Sequence, residues 1–157
     1  MKRAIDQLVQ EINQKRRELD DLFQSVPSER WLEPLDSGGW NLKDTVAHIV
    51  WFEKEVTPVL QTHRFSGSDL WNLPPDERNH QIYLLNQHRS LDEVIAEAAE
   101  TFGRFIDAVA ALDDEDLQDS TRFVDMPPEW KPIQLIAVNS SIHYEEHIAV
   151  IKNWLNK

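Results

Sequence analysis

Apolar residues return every three or four positions through most of this chain. In the first segment, from about Arg3 to Gln24, they fall at Ile5, Leu8, Val9, Ile12, Leu19, Leu22 and Phe23. That is the rhythm of a helix with one buried face. Val26-Pro27-Ser28 stops it, and Ser28 to Trp31 is read as a single helical turn before a Gly38-Gly39 hinge. Asn41 has the character of an N-cap for a second helix, with Asp44 in its favourable first turn. Leu42, Val46, Ile49, Val50 and Val56 form the stripe of that helix, with Thr45, His48 and Phe52 alongside, and Pro58 bends it or ends it nearby.

A loop at Phe65-Ser66-Gly67-Ser68 and the pair Pro74-Pro75 lead into a short helix over Asp76 to His88. Ser90-Leu91-Asp92-Glu93 matches a capping box. The helix after it buries Val94, Ile95, Ala98, Phe102, Phe105, Ile106, Val109 and Leu112. Asp113 to Trp130 is acidic, then proline-rich, and longer than a minimal connection, as expected of a lid or a packed cover. Its Asp113-Asp114-Glu115-Asp116 run reads as a solvated turn. Pro132 suits the first turn of a last helix reaching about Asn156. No repeat and no strand alternation appears. Four long amphipathic segments and one short one predict an all-α four-helix bundle, one domain over residues 1–157.

Three histidines stand out against this frame. His143 and His147 are four apart and so share a helix face, about 5–6 Å apart at Cβ. His48 lies about 10 Å into its helix and His147 about 14 Å from the end of its own, at ~1.5 Å per residue. If those helices are antiparallel neighbours, the rings reach similar depth. Three imidazoles form an open divalent-metal site with a position left for water or substrate; the plainer alternative is three ordinary helix-face residues. His143-Tyr144-Glu145-Glu146-His147 also fits the H-x-x-E-H of inverted zinc proteases. Those enzymes need a carboxylate ligand well downstream, and only ten residues follow His147. His63, His80 and His88 are read as solvated. Trp51 and Trp154 are read as packing, Trp40 as a hydrophobic staple, and Trp71 and Trp130 as candidates for a pocket mouth. Asn139 either faces the histidine cavity or is a satisfied buried amide.

Charge narrows the partners. The formal net charge is −12, from 28 acidic against 16 basic residues. It disfavours nucleic acid and anionic membrane surfaces. Cysteine is absent, which removes thiolate ligands and nucleophiles and fits a cytoplasmic setting. Lys2-Arg3 is followed by mixed residues rather than an apolar stretch, which argues against a secretory signal.

Trp40-Asn41-Leu42-Lys43-Asp44 with His48, then His143-x-x-x-His147 before Trp154-Leu155, resembles the DinB-like superfamily over nearly the whole chain. Trp71-Asn72, Asn79, Ser90-Leu91 and Asn139-x-x-x-His143-Tyr144-x-x-His147 look closest to its ClbS/DfsB-like subset, which includes the colibactin self-resistance protein. The resemblance implies an up-down-down-up bundle, often paired into homodimers, with His48, His143 and His147 as metal ligands. Imidazole alone does not choose among Zn, Ni, Mn and Fe. It does not imply one reaction: members transfer low-molecular-weight thiols, isomerise maleylpyruvate with a thiol cofactor, or open a reactive cyclopropane. The expectation is therefore a metal-dependent hydrolase or thiol transferase acting on a small electrophile, in detoxification or self-resistance. The alternative is a non-catalytic bundle that binds or sequesters a small molecule.

Overall fold

In the computed structural model, which describes residues 3–36 and 38–157, the apolar rhythms become six α-helices with short 3-10 turns between them. Lys2 lies outside the described residues. Helix α1 (Arg3–Ser25) turns Ile5, Leu8, Ile12, Leu19 and Phe23 inward. Helix α2 (Leu42–Thr62) begins at the expected Asn41 cap, and the capping box is complete: the Asn41 side chain accepts from the Asp44 amide while Asp44 accepts from the Asn41 amide. Ahead of it, Gly39 turns the chain at φ 85, a conformation that favours glycine. Pro58 does not stop α2. The helix continues one turn and ends at His63, itself left-handed at φ 52. Helix α3 is Pro75–Asn86. Helix α4 is Leu91–Ala110, where Ser90 caps the Glu93 amide and the Glu93 carboxylate turns toward Arg89 instead of completing the box.

The last helix departs from the sequence reading. It breaks at Asn139-Ser140 into α5 (Pro132–Val138) and α6 (Ser141–Leu155). At the break the Asn139 amide group donates to the Leu135 carbonyl and the Ser140 hydroxyl to the Ile136 carbonyl. Short polar side chains compete in this way for helical carbonyls, and the Ser140 backbone leaves the helical region.

Helices α1, α2, α4 and α6 form an all-α bundle of up-down-down-up topology. Helix α2 packs chiefly on α4 and α1 chiefly on α6, while α1 also meets α4 and α2 touches α6 more sparsely. The order around the bundle is α1, α4, α2, α6, so α1 and α2 face each other across a diagonal. Side-chain pairs give the directions. Lys15 meets Glu145 and Glu18 meets Lys152, so α1 and α6 run parallel. Helix α3 rides on α2, where the Lys43 ammonium donates to the Gln87 and Arg89 carbonyls beyond the α3 C-terminus.

The 113–130 stretch is a packed cover. Leu117, Phe123 and Met126 join the core. Its acidic run is a turn solvated only in part: Asp113 and Glu115 are exposed, but Asp116 is buried, the Asp113 and Asp116 carboxylates each accept from the other's amide, and Asp114 accepts from the Ala4 and Ile5 amides at the start of α1. A carboxylate on those unpaired amides satisfies the helix end and suits its dipole.

Candidate metal centre

His48 comes from the second turn of α2, and His143 and His147 from successive turns of α6. The cap at Asn41 fixes the register of the first, and the α5–α6 break fixes that of the other two. The antiparallel approach of α2 and α6 brings all three to one point. His143 Nε2 lies 3.1 Å from His48 Nε2 and 3.0 Å from His147 Nε2. The ligand-capable atoms of the three all fall within 4.8 Å of one another. Two nitrogens each about 2.1 Å from one ion at 90–109° stand about 3.0–3.4 Å apart, so the spacing matches a shared cation.

The electrostatics agree with the spacing. Burial holds the His48 ring well below its ordinary range, with His147 and His143 adding to the effect. Burial and His147 bring His143 down to about 3, and burial brings His147 to about 4. All three are neutral near pH 7 and present lone pairs. Among the described residues, Nδ1 of His48 and of His143 is buried with no protein partner, so neither ring has there the acceptor that usually orients a ligating imidazole.

Aromatic rings hold the imidazoles instead. Phe52 packs edge-on at 4.8 Å from both His48 and His143. Trp40 lies 5.0 Å from His48, and Tyr83 of α3 stacks on Trp40 at 6.4 Å. Trp40 thus covers the site. Trp51 and Trp71 extend the layer, 5.1 Å apart. Trp71 and Trp130 do line a cavity together, next to the histidines, and Asn139 joins its wall. Of the other histidines, His80 and His88 are exposed. His63 is not merely solvated: it stacks on Phe123 at 4.8 Å, with its Nε2 3.4 Å from Asp116.

Sequence reasoning missed a second buried polar group. Arg16 of α1, Glu53 of α2 and Tyr144 of α6 meet at the bundle centre. Arg16 donates to Glu53 and to the Tyr144 oxygen, and the Tyr144 hydroxyl donates to Glu53. Phe102 of α4 lies under the guanidinium at 4.3 Å. Burial pulls Arg16 down, but Glu53 and Tyr144 outweigh it and leave the guanidinium above its ordinary value. Burial pushes the Glu53 carboxyl up against the pull of Arg16, and burial with Glu53 raises the Tyr144 phenol well above its usual range. The signal was present: Arg16 falls between Ile12 and Leu19 on the α1 stripe, and Glu53 between Ile49 and Val56 on that of α2.

The family follows from comparison with known proteins. The sequence model of the DinB superfamily matches residues 11–151. The chain belongs to the DinB superfamily. Among curated proteins, none matches the sequence significantly. Three solved structures share the DinB-like fold at low identity. One is titled "Sibling Lethal Factor Precursor - DfsB" (TM-score 0.78, 17% identity, covering 97% of this chain and 95% of that one). Another is an uncharacterised protein from Escherichia coli UTI89 (0.75, 15%, 97% and 92%). The third is a protein from Streptococcus pneumoniae (0.78, 17%, 97% and 90%). No helix among the described residues is long and apolar enough to cross a membrane.

Proposed function

We propose that this DinB superfamily member holds a divalent cation on His48, His143 and His147 and uses it on a small electrophilic molecule, as a hydrolase or a thiol transferase. The observation that carries the reading is the convergence of three neutral imidazoles, with His143 Nε2 at 3.0 Å from His147 Nε2 and 3.1 Å from His48 Nε2. Such a cation, when bound, acidifies a water or thiol and so supplies a nucleophile at neutral pH. The protein's part is to keep the three imidazoles unprotonated, to fix their facing edges, and to restrict water. Burial does the first, and Phe52 and Trp40 do the other two. His147, the most exposed ring of the three, marks the side from which a small molecule reaches the centre. Zn, Ni, Mn and Fe all suit three nitrogens.

The test is metal analysis of untagged protein beside His48→Ala and His143→Ala. Stoichiometric metal in the parent and its loss in both variants is the expected result; equal metal in all three ends the reading. Turnover of a model epoxide, with and without an added thiol, then separates a catalyst from a binder. Stoichiometric protection without turnover would favour sequestration.

A further inference from the structure

The cavity walled by Trp71 and Trp130 lies one aromatic ring away from the histidines. It measures about 220 Å³ and is walled by Val56, Val59, Phe65, Trp71, Trp130 and Leu135. Phe52 stands between it and the cluster, 5.5 Å from Trp71 and 4.8 Å from His143. The volume is below the ~300–1,000 Å³ typical of drug-sized pockets, so only a small group enters.

Its polar equipment is one-sided. Glu55 stands in the wall, half-buried, and forms no ion pair among the described residues. One oxygen, Oε1, accepts from the Ser68 amide at 2.6 Å and from the Trp71 indole at 2.8 Å. The other carries no partner among the described residues. The Asn139 amide group spends its N–H on the Leu135 carbonyl, which leaves its oxygen to accept. The cavity thus offers acceptors and a negative charge among π faces. Arg78 lies over Trp71 at 4.9 Å, but its guanidinium donates to the Leu70 and Leu73 carbonyls. Trp130 and Phe65 meet edge to face at 5.1 Å, and among the described residues no cation lies over either ring.

The loop that places Glu55 and Trp71 together is built to closeness. A Cβ on Gly67 would lie 2.8 Å from Trp71 Cδ1 and 3.3 Å from Glu55 Oε1. Glycine is the residue that lets the backbone lie on the indole–carboxylate pair. Holding the indole N–H against a carboxylate also enriches its ring in electron density, which favours a cation beside it.

We propose that this cavity binds a small organic cation, an alkylated ammonium group, between Trp130, Phe65 and Trp71 with Glu55 as its counter-charge. Aromatic walls with one carboxylate favour such a group over an uncharged ligand of equal shape. The site stands independently of the metal centre.

Choline and its uncharged isostere 3,3-dimethylbutan-1-ol are the probes, with the indole N–H resonances as readout. Choline is expected to shift the Trp130 and Trp71 signals saturably and to bind about tenfold more tightly than the alcohol, a difference of about 1.4 kcal/mol. Trp130→Ala, at an exposed position, and Glu55→Gln, which keeps an acceptor oxygen for Ser68 and Trp71, should each weaken choline by a similar factor. The same shifts in a His48→Ala background keep this result separate from the fate of the metal reading. Equal binding of the alcohol, no saturable shift with choline, or unchanged affinity in both variants overturns the proposal.

Discussion

Arg16 shows what a single side chain does here. Its guanidinium touches residues of all four bundle helices, and Glu53, wholly buried, depends on it. Removing one partner of a buried pair leaves an uncompensated charge and costs about 3–5 kcal/mol. Arg16→Met should lose that much in urea unfolding, while Arg16→Met combined with Glu53→Leu should lose clearly less. Tyr144→Phe, which removes one donor from Glu53, should cost about 1–3 kcal/mol. The histidines act through pH. The folded chain keeps His143 unprotonated to about 3 and His147 to about 4, whereas an unfolded histidine takes up a proton near 6.5. The unfolded state therefore binds more protons across that window, and the metal-free protein should lose stability as pH falls below 6.5. The slope is about 1.4 kcal/mol per pH unit for each ring. Urea midpoints in the presence of chelator should fall from pH 7 toward 5, and less steeply in His143→Gln. The i,i+4 pair was legible because it is local. Arg16 and Glu53 were not flagged, because a stripe is read from its apolar members and their charges look like a solvated face.

Helix boundaries depended on local chemistry of unequal visibility. The Asn41 box, the Ser90 cap and Pro132 at the head of α5 all appear in the sequence as residue types that satisfy free amides or lack one. Asn41→Ala should lower stability by about 1 kcal/mol, or about 2–4 °C in melting temperature for a chain of this size. The break at Asn139-Ser140 was invisible, since nothing in its composition distinguishes a side chain that bonds a carbonyl from one that faces solvent. The acidic run at 113–116 was read as wholly solvated for a related reason: Asp114 reaches the α1 amides only because the chain folds back over more than a hundred positions. Gly67 offers an element-scale test. Gly67→Ala places a methyl against Trp71 and should cost about 1–3 kcal/mol by crowding, with a shift in tryptophan emission. A variant as stable as the parent would show that the loop can lift freely.

At the scale of the molecule, an all-α bundle follows from apolar periodicity, yet periodicity is silent on which helices touch. The antiparallel meeting of α2 and α6, on which the histidine cluster depends, was legible only as comparable depths along two helices. Metal should report on the whole fold. A ligand bound to the native state alone stabilises it by about 2.7 kcal/mol at a hundred times its dissociation constant. Chelator should therefore lower the melting temperature of the parent and leave His143→Ala unmoved. The diagonal placement of α1 and α2 has a kinetic consequence. No two successive long helices can zip together as a hairpin, and α1 finds its main partner only when α6, at the far end of the chain, arrives. Long loops must close before that contact repays their entropy. Refolding after denaturant dilution should therefore be slower than for a bundle of the same length whose neighbours in sequence are neighbours in space.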